Sequence, residues 1–369
     1  MRLSGDRLFA FIVLILVVSG IAMFSSAALG LLARADGAPW RLALTQLLLG
    51  LLPGIAILIA LRFAPPKLLL KGILPLYIGS LILTALVFVP GLGLTTNGAT
   101  RWLDLGFITV QPAEFLKIGV ILMFAAYLAN MKNKIHDMRY GLLAFGLIVG
   151  IPALLLLAQP NTSTVLVIGA TTVILYFLAG ARMRDFAIIG AVAVIALVLL
   201  VSTRPYLMNR VKTFIDPSQG AQTSGYQIQQ SLIAIGSGGL LGRGYGQSVQ
   251  KFNYLPEPVG DSIFAVFGEE FGFLGAVLLI LLFTAFATRG LMIAAEAANT
   301  FGALATTGLT LLITFSAYMN IGAMLGILPL TGLPLPFISH GGTALLSTLA
   351  SVGIILNVAA HRPKRRSAL

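Results

Sequence analysis

Apolar runs long enough to cross a hydrocarbon core as helices, about 17–25 residues each, recur along the whole chain. The composition leaves room for little else, because 58% of the 369 residues are hydrophobic and only 10% are charged. Ordinary soluble domains carry about 25% charged residues. The pattern therefore predicts an all-α, polytopic membrane protein with about ten transmembrane helices.

Short polar or basic turns separate the apolar runs and mark their ends. The predicted spans run near 8–24 and 42–61, then to about 89, from about 112, to about 158, to about 180, to about 202, over 263–287, from about 302, and up to a basic tail at 362–366. A long polar segment, about 203–262, separates the seventh span from the eighth. Residues 1–369 are expected to form a single integral membrane domain.

The charge is strongly basic, with 24 Lys and Arg against 12 Asp and Glu. A soluble protein of this kind would suggest nucleic acid, but a membrane protein collects Lys and Arg on its cytoplasmic side, and no nucleic acid is expected here. Basic turns at 62–71, 132–139 and 182–184 fall on the same side as both ends. Both termini are therefore predicted to be cytoplasmic, with 203–262 facing outward. Cysteine is absent, which excludes disulfides and a cysteine nucleophile.

Carboxylates cluster at one place in the sequence, where Glu257, Asp261, Glu269 and Glu270 lie at the start of the eighth span. Ionisable groups beside a bilayer are costly and mark a functional site. Asp261 has two compatible interpretations, as an N-cap of that span and as a general base. Glu257 is expected at the rim of the site, while Glu269 and Glu270 are expected to pair with Lys or Arg of neighbouring spans.

A second charged group opens the fourth span, where Glu114 and Lys117 share one helix face. They form either an ion pair that fixes packing or a cavity whose lysine faces an anionic substrate. Cations are also abundant on the predicted outer side, which suggests an anionic ligand such as a phosphate or pyrophosphate head group. They are Arg34, Arg41, Arg101, Arg204, Arg210, Lys212, Arg243 and Lys251.

Two other motifs carry weak signals. The glycine-rich stretch 236–246 lacks the Gly-x-x-x-x-Gly-Lys-Ser/Thr pattern, so nucleotide binding is rejected. No His-Glu-x-x-His or comparable ligand set is present, and no metal site is expected.

Four segments together resemble one known family, the SEDS proteins (shape, elongation, division and sporulation), which include FtsW, RodA and SpoVE. The segments are RWLDLG and QPAEFLK (101–106 and 111–117), GYQIQQS (225–231), the stretch from GQSVQK to GEE (246–270), and LPLTGLPLPFIS (328–339). Their order and spacing agree over nearly the whole chain, and the second and third are more similar to the FtsW and SpoVE branch than to RodA.

The resemblance implies a peptidoglycan glycosyltransferase that polymerises lipid II into glycan strands at the outer face of the bacterial cytoplasmic membrane. It implies a class B penicillin-binding protein as the crosslinking partner, alongside other membrane proteins of the division or elongation machinery. The family's catalytic aspartate falls on Asp261. No cofactor is implied, although assistance by a divalent cation stays open. Substrate-binding residues are expected among Arg101, Glu114, Lys117, Arg210, Arg243, Lys251, Glu257 and Ser339.

In this hypothesis Asp261 takes the proton from the attacking sugar hydroxyl, and cations hold the departing pyrophosphate. One departure from the family pattern matters, because Asn161 stands where the family has an acid. That change favours a mechanism with a single base. Two alternatives are a flippase for lipid-linked precursors and a non-catalytic scaffold in which Asp261 is only a cap.

Overall fold

The computed structural model describes residues 6–33, 39–96, 99–106, 108–216 and 224–362. Within these ranges the protein is mostly helical. The helices are α1 (Arg7–Leu29), α2 (Pro39–Thr45), α3 (Leu52–Phe63), α4 (Pro66–Leu86), α5 (Pro112–Asn130), α6 (Leu142–Phe145), α7 (Ile151–Ala158), α8 (Thr162–Leu178), α9 (Met183–Thr203), α10 (Pro205–Ile215), α11 (Ser224–Ser237), α12 (Ile263–Ala295), α13 (Thr300–Met324) and α14 (Gly342–Ala360). A 3-10 turn (Gly30–Ala33) follows α1, and π-helical turns join α2 to α3 (Gln46–Leu51) and α6 to α7 (Gly146–Gly150).

Ten apolar helical segments in the described residues match the ten predicted spans. Eight are long and apolar enough to cross a membrane, and two shorter ones cover Leu142–Ala158 and Thr162–Leu178. Proline begins several of them, as at Pro112, because the first helical turn needs no amide hydrogen from that residue. The prediction of a polytopic helical membrane protein is confirmed.

Three helices form the centre of the bundle. Between 72% and 78% of the apolar stretch of α5, α13 and α14 is buried inside the protein, whereas none of that of α9 is. Two of them, α13 and α14, are rich in Ser, Thr and Gly, which allow close helix packing in a membrane.

Both described ends of the chain meet at one end of the bundle. Arg289, in the last third of α12, lies 2.6 Å from the carboxylate of Asp6, and Arg362 joins Glu296 at 2.6 Å and Asp6 at 3.4 Å. We call this end the termini face and the opposite end the Asp261 face.

The Asp261 face contains more regular structure than the sequence predicts. The glycine-rich loop after α4 forms an antiparallel sheet of β1 (Gly93–Thr96), β2 (Ala99–Asp104) and β3 (Thr109–Val110), ordered β1-β2-β3. In its register, Leu103 lies opposite both Gly93 and Val110. The long polar segment before the eighth span is also partly helical, because it contains α10 and α11.

Helix α12 is broken at Gly272, where φ is 67° and ψ is −165°. The predicted eighth span is confirmed as a helix long enough to cross a membrane, but its apolar pattern does not indicate the break. The glycine-rich stretch before it supplies the missing hydrogen bonds, since Arg243 N and Gly244 N donate to the carbonyls of Glu269 and Glu270 at 3.0 Å, and Phe273 N donates to Gly239 O at 2.8 Å. Broken backbone at membrane depth is tolerated when protein groups satisfy it in this way.

The glycines of that stretch therefore have a structural reason. A Cβ at Gly242 would lie 2.2 Å from the carbonyl oxygen of Glu270, so only glycine fits. We call residues 263–271, between the start of α12 and the break, the half-helix.

Candidate functional site

Asp261 lies directly before the half-helix, as predicted, but it does not cap it. The N-cap residue is Ser262, and its side chain makes no capping hydrogen bond. The carboxylate of Asp261 instead accepts a hydrogen bond from Gln227 Nε2 of α11, at 3.2 Å, and the same amide donates to Ser262 Oγ at 2.9 Å. The interpretation of Asp261 as an N-cap is wrong, and its oxygens remain available for other chemistry.

The backbone around Asp261 is fixed by residues from the other side of the site. Asn320 of α13 donates from Nδ2 to the carbonyl of Asp261 and to that of Leu333, both at 2.7 Å. Ser339 donates from Oγ to Gly260 O at 2.7 Å, and His340 N donates to Val259 O at 2.7 Å. The predicted site residue Ser339 thus holds the segment that carries Asp261, and its contact with a substrate stays a prediction.

Arg210 of α10 and Asp261 both lie close to Gly332. A Cβ at Gly332 would lie 3.9 Å from Arg210 Nη2 and 3.9 Å from Asp261 Oδ2. Gly332 has a φ of +65°, which favours glycine. The guanidinium also lies over the ring of Tyr206, 5.8 Å from its centroid. The carboxylate and the guanidinium therefore both lie next to Gly332, and the charge of Arg210 acts on Asp261.

The electrostatics of this group favour proton exchange. Burial, reinforced by the negative charge of Glu257, raises the pKa of Asp261 to about 6, while the hydrogen bond from Gln227 and the charge of Arg210 act in the opposite direction. Asp261 keeps some exposed surface even though protein atoms surround most of it. A carboxyl with a pKa near the working pH suits general acid–base catalysis. Glu257 is exposed at the rim, as predicted.

A second cation, Arg101 of β2, lies near Arg210. It donates to the carbonyls of Gln159 and Pro160. Burial and the neighbouring charge of Arg210 lower the pKa of Arg101. The same turn contains Asn161, whose buried Nδ2 has no hydrogen-bond partner among the described residues. Two arginines close enough to repel each other form a favourable place for an anion.

Glu114 and Lys117 form the expected ion pair, with Lys117 Nζ 2.8 Å from Glu114 Oε1. Ser347 Oγ donates to the other oxygen at 2.9 Å. The pair borders a cavity of about 30 Å³ that Ser339 also lines. That volume holds a water molecule or two. The ion-pair interpretation is therefore confirmed, and contact of Lys117 with a substrate stays a prediction.

Arg243 and Lys251 do not join this group. Lys251 is fully buried and its ammonium is 2.8 Å from Glu270 Oε1, so no face of it is open to a ligand in this structure. Arg243 Nε lies 3.5 Å from Glu269 Oε1. Glu269 is itself roughly 12 Å from Asp261 along the helix axis. The two glutamates thus pair with an arginine and a lysine, as predicted, but both cations lie in the loop before the half-helix rather than in neighbouring spans.

The remaining predicted cations are dispersed or outside the described residues. Arg204 and Lys212 are exposed on or beside α10. Arg34 and the side chain of Arg41 lie outside the described part of the chain. In the described ranges, no three side chains of His, Cys, Asp or Glu come together as a metal site would require.

Sequence reasoning missed three residues of the site, namely Tyr206, Gln227 and Asn320. A signal existed for two of them. Asn320 is a buried amide within an apolar span, which marks functional or structural hydrogen bonding in a membrane protein. Gln227 belongs to the GYQIQQS segment that contributes to the family resemblance, although no role was assigned to it.

Comparison with known proteins gives a consistent result over the full length. The sequence model of the FTSW_RODA_SPOVE family, described as a cell cycle protein, matches residues 6–364. Stage V sporulation protein E of Bacillus subtilis is 39% identical over 279 residues, 76% of each chain. A probable peptidoglycan glycosyltransferase FtsW of Trichlorobacter lovleyi is 36% identical over 357 residues, 96% of this chain and 93% of the relative.

Solved structures agree. A chain from a peptidoglycan synthase complex that coordinates polymerization and crosslinking superposes with a TM-score of 0.78 at 28% identity, over 98% of this chain and 100% of that one. The rod shape determining protein RodA of Thermus thermophilus superposes with a TM-score of 0.70 at 28% identity, over 98% of each chain.

Proposed function

Since this chain belongs to the FtsW/RodA/SpoVE family, we propose that it is a peptidoglycan glycosyltransferase that polymerises lipid II, with Asp261 as its general base. The observation that carries the proposal is that Asp261, with a pKa raised to about 6, lies beside Arg210 at Gly332 without forming a closed ion pair with it. The names of its relatives support the same activity.

The reaction joins an acceptor hydroxyl to the anomeric carbon of a lipid-linked donor sugar. Asp261 accepts the proton of the attacking 4-hydroxyl as the new glycosidic bond forms. The bond to undecaprenyl pyrophosphate breaks, and the leaving group carries its electron pair away as a stable anion. No general acid is needed at that oxygen, so a second catalytic carboxylate of the kind that glycosidases use is not required.

The cations serve the leaving group. Arg210 lies beside Asp261. Arg101 lies near Arg210, and burial together with the charge of Arg210 lowers the pKa of Arg101. Arginine binds pyrophosphate oxygens with paired hydrogen bonds. Arg210 therefore holds the phosphate nearest the reacting carbon, and Arg101 adds charge from behind. Lys117, in its closed pair, is a weaker candidate for this role.

Orientation and partners follow from the same proposal. The Asp261 face lies outside the bacterial cytoplasmic membrane, and both termini are cytoplasmic, as the positive-inside rule predicts for the basic turns. A class B penicillin-binding protein is the crosslinking partner, and the similar chain from a peptidoglycan synthase complex supports an assembly of this kind. The mechanism uses no cofactor, and whether a divalent cation assists is tested by adding a chelator to the assay.

The decisive experiment compares purified wild type with Asp261→Asn in a lipid II polymerisation assay, with and without the partner enzyme. The amide keeps the size of the side chain but cannot accept the proton, so the rate should fall about 10²–10⁴-fold. The matched control is Asp137→Asn, the same substitution at an exposed aspartate in the turn after α5, and its rate should equal that of wild type.

Near-normal glycan yield from folded Asp261→Asn protein would rule out the base role. Movement of lipid II across liposomes by wild type, without any polymer, would support the flippase alternative instead. Complementation of a deletion strain by Asp261→Asn would support the scaffold alternative.

A further inference from the structure

A closed group of buried charges lies within the Asp261 face and takes no part in the mechanism above. Lys251 and Glu270 are 0% and 1% exposed, and Lys251 Nζ lies 2.8 Å from Glu270 Oε1. The ammonium also donates to Ser26 Oγ at 2.9 Å and to Gly246 O at 2.8 Å. One cation thereby joins α1, the loop 246–251 and the half-helix.

The neighbouring glutamate fastens the same loop. Glu269 accepts hydrogen bonds from Ser248 Oγ at 2.5 Å, Val249 N at 3.0 Å and Gln250 N at 3.2 Å. The loop 246–251 is therefore folded around the two carboxylates. On its other side it touches α1 so closely that a Cβ at Gly30 would lie 2.4 Å from the carbonyl oxygen of Lys251.

The half-helix needs these contacts because it is separated from the rest of α12. The break at Gly272 interrupts the helical backbone directly after Glu270 and Phe271. The direction of residues 263–271 is consequently set by what they touch rather than by the membrane-crossing part of α12. Asp261 lies two residues before the start of the half-helix, so any tilt of it moves the carboxylate.

Stability alone does not account for such a group. Removing two charges from water costs about as much as their attraction returns, and apolar replacements of the same shape are often equally stable. A buried pair that adds little stability can still fix one arrangement of the segments it joins.

We propose that the Lys251–Glu270 pair is the positioning device for Asp261, holding the half-helix and the loop 246–251 against α1 so that the carboxylate meets the acceptor hydroxyl. Both are positioning residues, because neither touches the reacting atoms. This inference rests on the proposed glycosyltransferase function.

The test uses the neutral double variant Lys251→Met with Glu270→Gln, since either change alone leaves one buried charge unpaired. Misplacement by about 1 Å can cost about a hundredfold in rate, so kcat for polymerisation should fall about 10–100-fold, with KM nearly unchanged and a melting temperature close to wild type. If the pair were purely structural, a double variant with the stability of wild type would also have the kcat of wild type.

The matched control removes the same kind of pair at the other end of the bundle. Asp6→Asn with Arg289→Met eliminates the 2.6 Å ion pair on the termini face. Its kcat should equal that of wild type. A comparable loss of kcat in this control would overturn the proposal, because the effect would then belong to any lost ion pair.

A second readout does not depend on activity. The natural chain has no cysteine, so Leu255→Cys introduces a single thiol at a site that is 0% exposed, between the pair and Asp261. A membrane-impermeant maleimide should label this thiol slowly in the otherwise wild-type chain and about tenfold faster or more in the neutral double variant, because the loosened loop opens locally. Equal labelling rates would overturn the proposal.

A milder variant covers the case in which the double variant does not fold. Ser26→Ala removes only the hydroxyl by which α1 contacts both Lys251 and Glu270. It should raise the labelling rate and lower kcat, each by less than the double variant does. Wild-type values of both would contradict the positioning role. If wild type makes no polymer at all, the proposed function fails, whereas the labelling rates still decide the positioning.

Discussion

Two kinds of carboxylate–cation arrangement occur in this molecule, and they differ in whether the pair is closed. Glu114–Lys117 and Glu270–Lys251 each meet at 2.8 Å, and serine hydroxyls donate to both carboxylates. Asp261 and Arg210 instead flank a common point at Gly332, and Asp261 accepts one side-chain hydrogen bond, at 3.2 Å. Glu114 and Glu270 are buried, whereas Asp261 keeps some exposed surface although protein atoms surround most of it.

The difference shows what makes a buried carboxylate reactive in this fold. A closed pair neutralises itself within the low-dielectric interior and offers no proton-accepting oxygen to a ligand. An open pair leaves the desolvation of the carboxylate only partly compensated, and the pKa of Asp261 rises to about 6 as a result. The three predictions that follow break a closed pair or change the charge around the open one.

The largest effect is expected from breaking the closed pair at the start of α5. Glu114→Gln leaves the buried ammonium of Lys117 without its counterion, and breaking such a pair costs about 3–5 kcal/mol of folding stability. Thermal unfolding of the purified protein in detergent measures the loss. Adding Lys117→Met should recover most of it, since the second change removes the unpaired charge. A Glu114→Gln protein that melts like wild type would contradict the closed arrangement.

An intermediate effect is expected from Arg210→Met. The positive charge of Arg210 holds the pKa of Asp261 down, so its loss raises that pKa above about 6. The base must be ionised to act, and the acid limb of the rate therefore moves to higher pH. Each pKa unit reduces the ionised fraction up to about tenfold on the acid side. Polymerisation rates measured between about pH 5 and pH 8 test this.

Arg204→Met is the matched control for Arg210, because Arg204 is an exposed arginine next to the same helix. Its acid limb should coincide with that of wild type. An unmoved acid limb in Arg210→Met would show that the guanidinium does not act on Asp261.

The smallest effect, with the opposite sign, is expected from Glu257→Gln. The negative charge of Glu257 raises the pKa of Asp261, although burial is the larger cause. Its loss lowers the pKa of Asp261 and moves the acid limb to lower pH by a fraction of a unit. The rate above about pH 7 should hardly change, since Asp261 is already ionised there. A shift toward higher pH would contradict the proposed coupling.

The parts of the fold that depend on chain-local patterns could be predicted from the sequence. Apolar length was enough to predict ten helical segments, eight of which are long enough to cross a membrane. Asp261 comes before the eighth of them, after Pro256, Pro258 and Gly260, which keep that approach non-helical. The spacing of Glu114 and Lys117 likewise placed them on one helix face, because residues three apart share a face, and left an ion pair as one of two interpretations.

The features that escaped prediction depend on segments distant in sequence. Gly272 looks like an ordinary glycine in an apolar run, and only its pairing with residues 239–244 shows that the helix breaks there. The sequence suggested that Lys251 binds an anionic ligand, but its ammonium is instead hydrogen-bonded to Ser26 and Glu270. Asn320 and Gln227 acquire their roles only when α13 and α11 meet the segment 257–262.

The break in α12 has a mechanical consequence. A continuous helix of 33 residues would be about 50 Å long, well beyond the roughly 30 Å of a hydrocarbon core. A straight rod of that length would tilt whenever the thickness of the surrounding lipid changed. Because α12 is broken at Gly272, the longer part after the break can change its tilt with the thickness of the bilayer. The half-helix, and Asp261 before it, can then keep their orientation.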